Sequence, residues 1–124
     1  MGASMPDVQR HADDAFESVR AMSRVSDDRV LPAPFAHEVF GSLHDLALML
    51  PQVFDQLSTS LYRALIELDT YESDGGSPID RTAEARARLA EASTLAVQMG
   101  AALEGAQDAV SLQGHRPWAP RGRA

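Results

Sequence analysis

Residues 35–68 read FAHEVFGSLHDLALMLPQVFDQLSTSLYRALIEL. Within them Val39, Leu43, Leu46, Leu50, Val53 and Leu57 are separated by alternating gaps of four and three, the spacing that lines side chains along one side of a helix facing a second helix. A second set, Phe40, Ala47, Phe54, Leu61 and Leu68, recurs every seven residues beside the first. The combined face is wider than a two-helix seam needs, and it predicts contact with two neighbours. Pro51 removes one i→i−4 hydrogen bond and crowds the carbonyl of Ala47, so a kink or a break into two helices is expected there. Near Ser60 the rhythm slips to Leu57, Leu61, Leu65 and Leu68, where the seam unwinds locally or changes neighbour. Taken whole, the stretch predicts a helix over about 34–70, roughly 50 Å long if unbroken.

Downstream, Ser73-Asp74-Gly75-Gly76 marks a turn within 71–78. Ser77 then reads as an N-cap with Pro78 at the first helical position and Asp80 three residues after the cap. The apolar positions Ala85, Leu89, Ala92, Ala96, Met99, Leu103, Ala106 and Val110 keep a four-three rhythm over a helix of about 78–112. Alternate members are mostly alanine, which lets backbones approach closely while the bulk comes from the central helix. Glu84 and Arg88 stand four apart on the exposed side, a favourable pair, and Gly114 suits the residue following a helix. Upstream, Ser4 caps a helix of about 5–24 with Pro6 in its first turn. Its stripe is Val8, Ala12, Ala15, Val19 and Met22, widened by Phe16. Between Ser26 and Pro34 the alternate prolines Pro32 and Pro34 bar a continuous helix.

The expected fold is therefore all-α: a long antiparallel helical hairpin with a third, N-terminal helix packed on it. That is a three-helix bundle over 1–113, with a coiled-coil-like seam and a flexible Arg/Pro tail at 114–124. An N-terminal helix of about 30 Å covers only part of a face of about 50 Å. Leu48, Tyr62 and Ile66, off the main seam, add apolar surface.

Composition narrows the function. With 124 residues the chain is one domain, and without cysteine it has no disulfide, thiolate ligand or nucleophilic thiol. No run reaches the roughly 18 apolar residues of a membrane span, and the N-terminus lacks a signal-peptide pattern. A cytoplasmic location is expected. The net charge of −7 disfavours nucleic acid, which needs clustered cations. Lysine and asparagine are absent and only Ile66 and Ile79 are isoleucine, a usage associated with GC-rich bacterial genomes.

Sites for chemistry are few. His37 and His44, beside Glu38 and Asp45, stand seven apart, about 10.5 Å along a helix, whereas two ligands for one metal stand three or four apart. Glu38 is followed three residues later by Gly41, so Glu-x-x-His is not met. No GxSxG elbow places a serine nucleophile, Gly75-Gly76 lacks a phosphate-loop pattern, and the acidic runs lack EF-hand spacing. No enzyme, metal, cofactor or small-molecule substrate is expected. The candidate interaction residues are Phe40, Leu48, Phe54, Leu61, Tyr62, Ile66 and Trp118. Trp118 lies in the tail among Pro117, Ala119, Pro120 and three arginines, and reads either as part of a frayed end or as the anchor of a docking peptide.

In size and hairpin layout the chain resembles the small secreted WXG-type proteins of Gram-positive bacteria, although Tyr71-Glu72-Ser73-Asp74-Gly75-Gly76 stands where those carry Trp-x-Gly. In its lysine-free style, and in the stretch from Leu43 to Leu57, it resembles small helical proteins of actinobacteria with no assigned function. The leading expectation is a non-catalytic protein-protein interaction module whose partner is a second copy or another helical protein. Two further readings are an acidic, antitoxin-like inhibitor of a basic protein and a WXG-type secreted hairpin.

Overall fold

A computed structural model of the chain describes residues 5–27, 30–114 and 116. Among them it forms three helices and no strand: α1 (Met5–Asp27), α2 (Ala33–Glu67) and α3 (Pro78–Ala109). The chain divides into two compact units, 1–32 and 33–124. The proposed cap Ser4, Asp28 and Arg29 of the linker, and Trp118 lie outside the described residues.

In the first unit, α1 runs three residues past the expected end at Arg24. It carries the exposed i,i+3 ion pairs Arg10–Asp7 at 3.2 Å and Arg20–Glu17 at 3.5 Å, each of the kind that contributes little. Val8, Val19 and Met22 on its stripe are 40–50% exposed.

In the second unit, α2 is a single helix with Pro51 inside it, so the chain does not divide there. Pro34 occupies its first turn, where a missing N–H leaves nothing unpaired. The helix stops at Glu67 rather than at about residue 70. Thr70 Oγ1 donates to the Ala64 carbonyl at 3.1 Å and the Leu68 N–H reaches the same oxygen at 3.0 Å, which closes the last turn from outside the helix.

The turn follows its breaker residues. Gly75 has φ of +79°, the left-handed region that a Cβ disfavours, and its N–H donates to Glu72 at 3.0 Å. Asp74 accepts from the Gly76 N–H and from the Arg81 guanidinium, both at 2.9 Å, fastening the turn to the start of α3. Ser77 caps α3 by accepting the Asp80 N–H at 3.3 Å, with Pro78 beginning the helix. Two side readings are corrected. Arg88 pairs with Glu91 at 3.1 Å rather than with Glu84, because the shorter i,i+3 step serves it as well on an exposed surface. The helix ends at Ala109 with Val110 as its cap, and a short turn through Ser111 and Gln113 separates that cap from Gly114.

α2 and α3 pack against each other in opposite directions. Gln107 meets His37, Glu104 lies near His44, Gly100 touches Leu48, and Arg86 reaches Ser58 and Tyr62. The contact is close because its centre is small. Ala47 is fully buried, Ala36 and Ala96 nearly so, and Gly100 is buried with them. A Cβ on Gly100 stands 3.7 Å from that of Ala47. Among the described residues no large side chain is fully buried, so the hairpin's own core is a thin strip of small residues edged by half-buried Leu and Phe.

Candidate interaction face

At about 100° per residue, Ala36, Phe40, Phe54, Ser58 and Leu65 fall within about 20° of Ala47 around α2. All of them are buried or half-buried, and this line is the one α3 covers. The Val39-to-Leu57 seam lies about 80° to one side. There Val39, Leu43, Leu50 and Leu57 are half-buried, while Leu46 and Val53 are 42% and 39% exposed. Of the two sets, the one with alanine at its centre took the partner helix through Phe40, Ala47 and Phe54, while its later members Leu61 and Leu68 stay 40% and 67% exposed. The seam, which has no small residue at its centre, remained at the edge, because backbones approach most closely where the side chains between them are smallest.

The two sides of the hairpin differ in chemistry. On one, polar groups tie the helices. Arg86 Nε donates to Ser58 Oγ at 2.9 Å while its guanidinium lies 4.9 Å from the Tyr62 ring centroid, a hydrogen bond and a cation–π contact from one side chain. Gln107 Nε2 donates to the His37 carbonyl at 3.1 Å. His44 sits 3.2 Å from Asp45 and 4.0 Å from Glu104. His37 and His44 therefore both belong to this strip, and among the described residues no three metal-ligating side chains gather in one place.

The opposite side is apolar along the α2 seam and the later part of α3. On α3, Leu95 and Met99 point away from the flank that carries Arg86 and Glu104, and they are 57% and 43% exposed. In an antiparallel pair this is also the side of the α2 seam, so the seam and the Leu95–Met99 part of α3 form one apolar face, bordered along the earlier part of α3 by the Arg88–Glu91 ion pair. Sequence reading had the seam but not the contribution of Leu95, which is off the α3 heptad; its signal was the apolar pair it makes with Met99 at a spacing of four.

The other sequence-derived candidates distribute as follows. Leu61, 40% exposed, borders the open face. Phe40 and Phe54 are half-buried on the line facing α3. Leu48, 49% exposed, sits on the polar side with one methyl against Gly100. Tyr62 and Ile66 join Leu65, Leu68, Pro78 and Ile79 around an open groove of about 540 Å³ beside the turn. No helix among the described residues is long and apolar enough to cross a membrane. Compared with models of known families, with curated proteins and with solved structures, the chain matches none.

Proposed function

We propose that this chain is a non-catalytic interaction module, and that the face formed by the α2 seam with Leu95 and Met99 is its working surface. One observation carries the reading: the four-three seam of α2 lies to the side of the line that α3 covers, with Leu46 and Val53 about two-fifths exposed. Four-three spacing of this kind fits a helix, so the natural partner is helical and the docking mode is apolar. An exposed apolar surface of several hundred Å² is what an interaction site looks like on a soluble chain. A cysteine-free acidic chain is suited to the cytoplasm.

The reading is tested with a photo-reactive amino acid placed singly at Val53 or at Asp55 of the full-length chain, irradiated in cells. Val53 lies on the seam and Asp55 on the far side of α2. A discrete cross-linked adduct from Val53, without its counterpart from Asp55, is the expected result. Equal labelling from both positions, or no adduct from Val53, refutes the interaction reading.

A further inference from the structure

We propose that the occupant of the open face is a second copy of this chain, docked with the two α2 helices antiparallel across a two-fold axis near Leu50, so that two hairpins close one four-helix core. The proposal rests on the face being an interaction surface and deepens it by naming the partner. Three features of the hairpin support it.

The first is area. Phe35, Leu46, Val53, Leu61, Leu95 and Met99 are 39–58% exposed. At about 200 Å² for each large apolar residue they leave on the order of 600 Å² open, before the half-buried Val39, Leu43, Leu50 and Leu57 are added, against roughly 800 Å² per partner in a standard interface. The hairpin alone buries no large side chain fully among the described residues, and joining two such faces supplies the core that each lacks.

Charge is the second. The chain carries −7 overall, which opposes self-association unless the contact avoids it. From Val39 to Tyr62 the only acidic or arginine side chains are Asp45 and Asp55, and both project more than about 90° away from the seam. The seam's outer border is Ser42, Met49, Gln56 and Ser60, exposed and uncharged. An acidic molecule has thus kept charge off this face of α2, so two α2 seams meet without repulsion, and on the neighbouring flank of α3 Arg88 and Glu91 are already paired with each other at 3.1 Å.

Length is the third. The seam runs most of the 35 residues of α2; among the described residues α3, with 32, is the one other helix of similar length, and it already lies on the neighbouring line of α2. The α2 of a second copy matches it in length and period. Two-fold symmetry sets a residue near the helix midpoint opposite itself, and Leu50 is the seam residue at the middle of Ala33–Glu67. Antiparallel placement also pairs opposite helix dipole ends.

The absence of cysteine makes the test clean. Light scattering on the full chain at 100 µM is expected to give twice the 13.4 kDa chain mass. Under mild oxidation, L50C is expected to form a disulfide dimer by itself, and V39C only when mixed with L61C. D55C, on the far side, is expected to stay monomeric on a non-reducing gel. V53E is expected to shift the scattering mass to one chain while circular dichroism keeps its helical signal. A single-chain mass for the wild type overturns the proposal, as does self-linking by V39C or D55C in place of L50C. If the wild type is monomeric while Val53 still cross-links a different protein in cells, the second copy is refuted and the interaction face stands.

Discussion

Replacing Gly100 by alanine and by leucine should move stability in opposite directions, and the geometry around that glycine sets both magnitudes. A Cβ there meets Leu48 Cδ2 at 3.0 Å, Leu48 Cγ at 3.5 Å and Ala47 Cβ at 3.7 Å. The tightest of these is the end of a side chain that is 49% exposed, so it can swing aside for a rotamer adjustment of about 0.5 kcal/mol. Alanine in a helix interior gains about 0.8–1.0 kcal/mol over glycine. The sum predicts that Gly100→Ala stabilises the hairpin by about 0.5 kcal/mol, or about 2 °C in Tm for a chain of this size. Leucine pushes three more carbons toward Ala47, which has no exposed surface to yield into, and overpacking of that kind costs about 1–3 kcal/mol. Urea unfolding of both variants, followed by far-ultraviolet circular dichroism, reads the difference. Destabilisation by alanine of more than about 1 kcal/mol would show that Leu48 is held in place. Leucine tolerated as well as alanine would show that the helices do not approach closely at Ala47, and the account of the core would fail.

Other expectations follow from single contacts. Gly75→Ala places a Cβ at φ of +79° and should destabilise the turn by about 1–2 kcal/mol, seen as a lower urea midpoint with unchanged slope. Arg86→Met removes both the Ser58 hydrogen bond and the stack on Tyr62. A loss of about 1 kcal/mol is expected, together with a change in the near-ultraviolet tyrosine signal, and a silent near-ultraviolet spectrum would mean that the contact is not formed in solution. Phe54→Asp buries a carboxylate on the line facing α3 and should cost about 3 kcal/mol or more. Loss of helical signal is expected for it, in contrast to V53E one residue away; if Phe54→Asp stays folded and V53E does not, the assignment of the two faces is reversed.

Much of this molecule was legible in local chemistry. Breakers and caps act through neighbouring backbone groups, so Gly75, Ser77 and Pro78 fixed the turn and the start of α3 where the sequence placed them, and period 3.6 marked all three helices. Helix ends were less legible: Thr70 ends α2 by reaching back six residues to Ala64, and no propensity encodes which hydroxyl arrives first. Pro51 left two outcomes open, and α2 runs through it as one helix.

Which apolar set of α2 would meet α3 was beyond the sequence. The pattern names two candidate lines about 80° apart without choosing between them, whereas the folded chain ranks them by how near two backbones can come. Ala47, Ala96 and Gly100 offer the nearest approach, so the small residues drew the helices together and the leucine seam was turned aside. Periodicity is a property of one helix and is written in the chain; closest approach is a property of two and exists only once both are in place.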